Sequence, residues 1–401
     1  MPRRAFILVE IKPKGLGPLY VQAARRVGLH PIVLSADPAQ YDNLAAESAE
    51  VIRVDTDDLD ALIGECSRLR AAYDIAGITA AGDAFYATVG KLCRYFNLPG
   101  PNPESVERCC DKFTQRKLLA KAGIPIPAYR LAADATEVKD SAAEIGLPVI
   151  VKPAVGTGCR GVRLCRSFDE LAEHTNYLLG GHHIWRSAPR ILVEEFAQGP
   201  HHWADIMGDQ IIGIGTVDSG PLPHFVGREC TLPALLTDDK HQRIAGVSLS
   251  CLRALGLGWG PTGIEFRWTK GGPVVIEVNP RLHGIPVPQL TQLAYGIDLV
   301  TEHIKLVIGE ECDLHRRHSQ AAAARFLVPD RDGTLDWIGD SWAAALPGVA
   351  EVEFYVKPKT QIVRKGHCGD TIGHVIAASP TAARTEAILQ RAIDLIDWSV
   401  T

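Results

Sequence analysis

The sequence predicts an α/β protein with an N-terminal parallel β/α domain and a C-terminal α+β unit. Three observations predict this class. Short apolar runs alternate with helical patterns over residues 1–103, which favours a parallel sheet. Two hairpin patterns follow, one rich in glycine near residue 156 and one rich in acids over residues 263–281. Three strand patterns and a closing helix then occupy residues 319–401.

Composition excludes several classes of protein. Charged residues make up 22% and hydrophobic residues 46% of the chain, which is typical of a globular protein. A net charge of −5 gives no global basic field for nucleic acid. Apolar runs are shorter than the ~20 residues of a membrane span, and the start does not resemble a signal peptide. The ten cysteines are scattered without a CxxC pair, so we expect reduced thiols in a cytoplasmic protein.

The N-terminal domain reads as alternating strands and helices. Strands are predicted over 5–10, 31–34, 50–54 and 75–79, and helices over 18–27, 59–71 and 84–96. Gly15 and Gly17 suggest a dinucleotide-binding turn, but the third glycine of that fingerprint is absent. We therefore expect no nucleotide here. The proline-rich run over 99–103 ends the domain.

A glycine-rich loop is the first candidate site. A helix from about residue 103 carries Lys112, and strands are predicted over 149–152 and 162–165. The loop between these strands contains Gly156, Gly158 and Gly161, with Lys152 at its mouth. Such a loop can turn backbone N–H groups toward an anion, although a plain glycine-rich hairpin is the alternative. It is not a Walker A loop, because no G-K-[ST] is present.

The acidic hairpin is the second candidate site. With a turn at 270–272 centred on Gly271, Glu265 lies directly across from Glu277. Asn279 lies two residues further on and shares the face of Glu277. Two carboxylates and an amide oxygen suit Mg²⁺, and Arg281 follows on the same face as an anion-binding group. The alternative is a solvated face with scattered charges.

The flanking segments complete the predicted order. Residues 216–240 contain Pro221, Pro223 and Pro233, so we expect an irregular loop that covers a substrate. Helices are predicted over 239–255 and 289–308. The last unit has strands over 321–328, 349–356 and 371–379, then a helix over 381–396.

Taken in order, these residues resemble the ATP-grasp superfamily over roughly residues 1–310. The resemblance rests on six features in order: Lys112, Lys152, the glycine loop, V-E-E-F at 193–196, Glu265 and E-V-N-P-R at 277–281. Within the superfamily the chain looks most like the L-amino-acid ligases, which are carboxylate–amine ligases, and its end is similar to theirs. The resemblance implies an ATP-grasp fold divided at 1–103, 104–200, 201–318 and 319–401.

The resemblance also implies roles for individual residues. Lys112 and Lys152 would contact the ATP phosphates, with Lys152 also near the adenine. The loop that closes over the phosphates would use Gly156, Thr157, Gly158 and Gly161. Glu194, Glu195 and Phe196 would form the hinge strand whose backbone reads the adenine. Glu265, Glu277 and Asn279 would hold Mg²⁺, with Mn²⁺ as an alternative, and Arg281 would stabilise the transferred phosphoryl group.

Some positions depart from the family pattern. The glutamate that usually holds the ribose is replaced here by His201 or His202. Arg228 would suit a substrate carboxylate, in a segment that differs from that of amino-acid ligases. His283 and Gly284 would line the acceptor pocket, with a structural histidine as the alternative. These departures leave the identity of the acid and the amine open.

The expected function is ATP-dependent ligation of a carboxylate to an amine through an acyl phosphate. Catalysis would rest on positioning and charge stabilisation. One rival is a carboxylase of the biotin-dependent type, which shares the ATP machinery. Another is a non-catalytic nucleotide-binding regulator, which would be expected to lack a metal ligand. The expected partners are small-molecule acids and amines, without nucleic acid or membrane, and we expect a homodimer.

Overall fold

The computed structural model describes residues 2–11, 14–41, 44, 49–181, 183, 188–339 and 342–401. The sequence also predicts a polar loop over residues 180–189, of which residues 182 and 184–187 lie outside the described ones. Within them, no helix has the length and apolar character needed to cross a membrane.

The N-terminal domain is built on a parallel sheet, as predicted. Its elements in chain order are β1 (Arg3–Val9), α1 (Leu16–Arg26), β2 (His30–Ser35), β3 (Glu50–Arg53), α2 (Leu59–Arg70), β4 (Tyr73–Thr79) and α3 (Asp83–Phe96). The strand order is β3-β2-β1-β4, and Ile7 of β1 pairs with Ile32 on one side and Ile78 on the other. The central strand is apolar because both of its faces are covered.

Two helices join this domain to the next, where a single one was predicted. They are α4 (Pro103–Cys110) and α5 (Lys112–Lys121). Asp111 interrupts the helix, since its backbone is extended and its side chain accepts a hydrogen bond from the Thr114 N–H as the N-cap of α5. The break makes Lys112 the first residue of α5, and its side chain contacts Glu277 of the acidic hairpin.

The glycine-loop unit has an antiparallel sheet with two helices. Its elements are β5 (Tyr129–Ala132), α6 (Ala135–Ile145), β6 (Val149–Pro153), β7 (Arg163–Cys165), α7 (Phe168–Leu179) and β8 (Ile191–Glu195). The strand order is β5-β8-β6-β7. The β6–β7 connection is therefore a hairpin at one edge of this sheet, as predicted, and the hinge strand β8 is central.

A large antiparallel sheet carries the acidic hairpin. Among the described residues its eight strands are β9 (His201–Met207), β10 (Gln210–Ser219), β11 (Gly227–Leu232), β12 (Pro261–Thr269), β13 (Gly272–Asn279), β14 (Ala321–Leu327), β16 (Val349–Phe354) and β18 (Gly373–Ser379). They lie in the order β13-β12-β9-β10-β11-β14-β18-β16. Because β11 pairs with β14, the sheet continues across the predicted boundary at residue 318.

The prediction of an irregular loop over 216–240 was wrong in its centre. Residues Gly227–Leu232 form a strand between β10 and β14, and Cys230 and Leu232 on it are buried. The prolines lie outside this strand, where they cost no ladder hydrogen bond. Within the predicted loop, residues 220–226 and 233–237 are irregular, whereas residues 216–219 belong to β10 and residues 238–240 begin a helix.

The remaining helices frame this sheet. They are α8 (Asp238–Leu255), α9 (Val287–Tyr295), α10 (Leu299–Val307) and α11 (Ala382–Asp394). The single helix predicted over 289–308 is divided at Gly296, which takes a left-handed conformation at φ +74°. A small sheet of β15 (Gly333–Gly339), β17 (Gln361–Ile362) and β19 (Asp397–Val400) was not predicted.

Candidate active site

The acidic hairpin pairs Glu265 with Glu277, as predicted, but by a different register. Its turn has two residues, Lys270 and Gly271, because Thr269 pairs with Gly272. A regular ladder from that turn would place Ile276 opposite Glu265. A β-bulge lets Val275 pair with Phe266 while Glu277 pairs with Glu265. The extra residue thus brings the two carboxylates face to face.

Three nitrogen-bearing side chains hold the oxygens of this hairpin: Lys112, His201 and Arg281. Lys112 Nζ lies 2.8 Å from Glu277 Oε1, and His201 Nε2 lies 3.2 Å from Glu265 Oε2. Arg281 donates to Asn279 Oδ1 at 3.4 Å. Burial lowers the pKa of Lys112, but Glu277 outweighs it and the pKa is raised overall. Burial raises the pKa of Glu265, yet the hydrogen bond from His201 helps to bring it down to about 2. The site is therefore charged on both sides.

A buried ion-pair network fixes Lys152. Glu194 on β8 accepts from Arg116 Nε at 2.5 Å and from Lys152 Nζ, and all three side chains are buried. Burial raises the pKa of Glu194, but Arg116 and Lys152 lower it more, so the carboxylate stays ionised. Arg116 also donates to the carbonyl of Ile276, the bulge residue, at 2.5 Å. The Arg116 guanidinium therefore links Glu194, the partner of Lys152, to the acidic hairpin.

The glycine loop lines one cleft together with Lys112, Lys152, Glu265 and Glu277. Lys112 Nζ donates to the Gly156 carbonyl at 2.6 Å, and Gly156, Thr157 and Gly158 line the cleft. Gly158 has φ +69°, and a Cβ there would lie 2.6 Å from Cys368 Sγ, so glycine is required. The Cys368 N–H donates to the Gly158 carbonyl at 3.2 Å, which docks the loop on the C-terminal unit. Gly161 instead lines a neighbouring cavity.

Aromatic residues frame the inner end of the cleft. Phe196, just after β8, has its ring 6.4 Å from that of Phe225, and both line the cleft with Ile150 and Glu195. Arg267 on β12 lies 5.7 Å from the Phe225 ring and donates to the Gly199 carbonyl at 3.0 Å. The two rings, tilted by 49° to each other, give this end of the cleft an apolar wall that suits a purine ring.

The two candidate ribose ligands lie on opposite faces of β9, as strand alternation requires. His201 lines the cleft, and its Nδ1 is buried without a hydrogen-bond partner among the described residues. His202 is buried away from the cleft lining and contacts Thr216 Oγ1 through Nδ1 at 3.2 Å. Of the two, His201 has the free polar atom that a ligand hydroxyl needs.

Arg281 and His283 lie next to the acidic hairpin but, like Asn279, outside the lining of the cleft. Arg281 Nε donates to Asp83 Oδ1 at 2.7 Å, at the start of α3. His283 Nδ1 donates to Asp205 Oδ1 at 2.7 Å, and Asp205 is held from its other oxygen by Trp203 Nε1 at 3.0 Å. The buried His283 Nε2 has no partner among the residues described. Gly284 follows in an exposed position.

Arg228 is not brought together with these residues. It lies on β11 and lines the neighbouring cavity rather than the cleft. That Arg228 contacts a substrate carboxylate stays a prediction, and such a contact would lie in the neighbouring cavity rather than in the cleft.

Sequence reasoning missed three polar side chains that organise the site: Arg116, Asp83 and Asp205. Arg116 carried a signal, because it follows Lys112 by four residues and so shares its helix face. Asp83 and Asp205 meet their partners only through tertiary structure, and no local pattern marks them.

Comparisons with known proteins agree with this architecture. Residues 21–100 match the ATP-grasp N-terminal domain, and residues 111–315 match the carbamoyl-phosphate synthase L chain ATP-binding domain. Residues 325–401 match the L-amino acid ligase C-terminal domain 2. Together these three families cover the N-terminal domain, the site and the C-terminal unit.

Individual relatives extend the comparison. Protein y4rH of Sinorhizobium fredii is 61% identical over 400 residues, covering 100% of this chain and 84% of that protein. Human carnosine synthase 1 is 26% identical over 72% of this chain, which spans only 38% of that protein. The crystal structure of L-amino acid ligase from Bacillus licheniformis superposes with a TM-score of 0.83 at 20% identity, covering 100% of this chain and 99% of that one. At that identity the likeness shows the fold.

Proposed function

Because the chain belongs to the carbamoyl-phosphate synthase L chain ATP-binding family of the ATP-grasp superfamily, we propose that it is an ATP-dependent carboxylate–amine ligase. It forms an amide or peptide bond through an acyl phosphate and releases ADP and phosphate. The observation that carries this proposal is the pairing of Glu265 with Glu277 beside Lys112 and Lys152 in one cleft. The match of residues 325–401 to the L-amino acid ligase domain favours an amine as acceptor.

ATP lies between the glycine loop and the hinge strand in this proposal. The adenine packs against Phe196 and Phe225, and the backbone from Glu194 to Phe196 reads its edge. His201 binds the ribose through its free Nδ1. Lys112 and Lys152 leave their present carboxylate partners in part to face the phosphates, which the loop at 156–161 covers.

The hairpin oxygens fit a hard divalent cation. Glu265, Glu277 and Asn279 offer only oxygen donors, as Mg²⁺ prefers, and Mn²⁺ also accepts them. Lys112 contacts Glu277, which supports a need for positive charge beside the pair of carboxylates. When bound there, Mg²⁺ supplies neutralisation of the phosphate charge.

The chain's own residues then position two substrates. A carboxylate oxygen of the acid attacks the γ-phosphorus, the bond to ADP breaks, and Arg281 stabilises the charge on the phosphoryl group. The amine nitrogen attacks the acyl carbon, and the bond to phosphate breaks. His283 Nε2 takes the proton from the amine, because Asp205 holds the other ring nitrogen as a donor. Excluding water protects the acyl phosphate, and the glycine loop serves as the lid.

We also propose that the protein is cytoplasmic, acts as a homodimer on small molecules, and needs neither nucleic acid nor membrane. The two rival functions differ from the ligase in the products that they predict. A carboxylase of the biotin-dependent type would form ADP with bicarbonate and without an amine, whereas a nucleotide-binding regulator would form no ADP.

A substrate screen tests the proposal. Phosphate release is measured for acids paired with amines, beginning with pairs of amino acids, in the presence of Mg²⁺. The acid that gives a signal is then labelled with ¹⁸O in its carboxylate. Transfer of one labelled oxygen to each phosphate is expected for an acyl phosphate. Unlabelled phosphate, or release with bicarbonate alone, would refute the ligase.

A further inference from the structure

A second cavity lies beside the cleft and is not used by the proposed reaction. It has a volume of about 410 Å³ and is lined by residues of three parts of the chain. Arg163 comes from β7 of the glycine-loop unit, His224 and Arg228 from the connection after β10 and from β11, and Arg364 and Lys365 from the C-terminal unit. Val162 lines both the cavity and the cleft, so the two are neighbours.

The cavity contains buried donors without acceptors. Arg163 Nε, His224 Nδ1 and Arg228 Nε are each shielded from solvent and have no hydrogen-bond partner among the described residues. Guanidinium nitrogens are donors only, so two of the three atoms need an acceptor from elsewhere. A buried donor left unpaired is unfavourable, and such atoms in a native protein call for an explanation. A bound anion would supply the missing acceptors.

The charge of the lining points the same way. The cavity is lined by four permanently basic side chains, Arg163, Arg228, Arg364 and Lys365, against two acids, Glu173 and Asp370. Both acids already have partners, and so do two of the bases, because Arg163 pairs with Glu173 and Arg364 with Asp332 at 3.5 Å. Arg228 and Lys365 have no acid partner among the described residues and carry the uncompensated charge. Glu173 accepts from Arg163 Nη2 at 2.9 Å, and Asp370 accepts the backbone N–H groups of residues 365 and 366 at 2.9 and 2.7 Å.

Arg228 is the best-placed ligand of this set. It makes no ion pair with any described acid, whereas Glu229 beside it pairs with Arg325 at 2.7 Å. Its guanidinium packs against Gly220, where a Cβ would lie 2.8 Å from Nε. Space is thus kept for the guanidinium, and its planar fork can hold a phosphate or carboxylate through two hydrogen bonds.

Burial and nearby positive charge lower the pKa values of two histidines that line the cavity, His224 and His174. Burial lowers the pKa of His224, and the charge of Arg163 lowers it further. Burial also lowers the pKa of His174, on the same wall, to about 4. Both imidazoles are therefore neutral near pH 7, so the permanent cations are the arginines and Lys365.

We propose that this cavity binds an anionic small molecule bearing a phosphate or carboxylate group, held by Arg163 and Arg228. The ligand contacts both the glycine-loop unit and the rest of the protein, because the walls of the cavity come from both. These two parts are already joined beside the cavity by a hydrogen bond from the Leu164 N–H to the Pro223 carbonyl, at 2.9 Å. A ligand that bridges these two parts favours the closed loop, and so strengthens ATP binding, with the reciprocal effect of ATP on the ligand.

The test measures binding and needs no turnover, so it can succeed or fail independently of the ligase proposal. The full chain is saturated with Mg²⁺ and the β,γ-imido analogue of ATP, and is then titrated by calorimetry with inorganic phosphate and with succinate, a dicarboxylate that binds Mg²⁺ only weakly. Saturable binding of either probe is expected. Arg228→Gln and Arg163→Gln should each weaken it by about tenfold or more. Arg228→Lys should weaken it less, since it keeps the charge and loses the fork.

Arg166→Gln is the matched control. It removes the same charge from the same unit, next to α7 but outside the cavity lining, and should leave probe binding unchanged. Absence of saturable binding by the unaltered protein, or equal weakening by Arg166→Gln and Arg228→Gln, would overturn the site. Equal probe affinity with and without the ATP analogue would overturn the coupling to loop closure.

Kinetics then separates two sources of the anion. If the anion is the acid substrate itself, Arg228→Gln raises the KM of the acid and succinate competes with the acid. If it is a separate effector, the KM of the acid is unchanged and succinate alters the KM of ATP. Either result supports the site, whereas no effect of succinate on either KM contradicts its link to the cleft.

Discussion

Arg116 donates to Glu194 on the hinge strand and to the carbonyl of Ile276, the bulge residue of the acidic hairpin. One buried guanidinium therefore spans the two halves of the cleft. It holds the carboxylate that orients Lys152, and it satisfies the carbonyl of the residue that brings Glu277 opposite Glu265. The geometry of the site thus depends on a side chain that lies behind it.

Replacing Arg116 should destabilise the protein strongly. Arg116→Met leaves Glu194 with one cationic partner and the Ile276 carbonyl with none, in a fully buried setting. We expect a loss of about 3 kcal/mol or more in the free energy of unfolding, measured by urea denaturation. Arg130→Met breaks the exposed pair with Glu144 and should change the stability little. Similar losses in the two variants would contradict the role of Arg116.

Lys152→Ala should weaken ATP binding. Lys152 lines the cleft and is held by Glu194 within reach of a bound phosphate. Loss of a charge-assisted contact should lower the affinity for ATP by about tenfold or more in a binding titration. Lys139→Ala changes an exposed residue on α6 of the same unit. This control variant should bind ATP normally. If both variants keep the normal affinity, ATP does not bind beside Lys152.

His283→Gln should slow amide formation. The change removes the nitrogen that accepts the proton of the amine, so kcat should fall by about a hundredfold while the KM for ATP stays close to normal. Steady-state kinetics with the acid and amine found in the screen gives both values. His241→Gln, on the exposed face of α8, serves as the control. A normal kcat for His283→Gln would leave the histidine with only a structural role.

The carboxylate of Glu265 predicts a pH dependence of stability. Its pKa lies near 2 in the folded protein and at its ordinary higher value in the unfolded chain, so its contribution is present above about pH 4.5 and is lost as the pH falls toward 2. The difference in unfolding free energy between the unaltered protein and Glu265→Gln should therefore shrink between about pH 5 and about pH 3. Urea denaturation without metal measures it. A difference that stays constant over this range would mean that the pKa is not lowered.

Local patterns predicted the parts of the site that depend on local geometry. Strand alternation placed Glu277 and Asn279 on one face, and the positions of the glycines marked the loop at 156–161. The bulge at Ile276 was beyond prediction, because its carbonyl is satisfied by Arg116 from a distant helix. Equally, β11 was taken for a loop because prolines surround it, and only pairing with β10 and β14 reveals the strand.

Glu277→Gln is the sharpest test of the acidic hairpin as a metal site. The change removes one of two facing carboxylates while keeping the shape of the side chain, so the charge that binds Mg²⁺ is reduced where the reaction needs it. Mg²⁺-dependent ADP formation is measured with the acid and amine from the screen. Asp218→Asn, at an exposed residue on β10 of the same sheet, is the matched control. We predict that Glu277→Gln nearly abolishes ADP formation and that Asp218→Asn leaves it intact. Near-normal, Mg²⁺-dependent ADP formation by Glu277→Gln would contradict the assignment of the hairpin as the catalytic metal site.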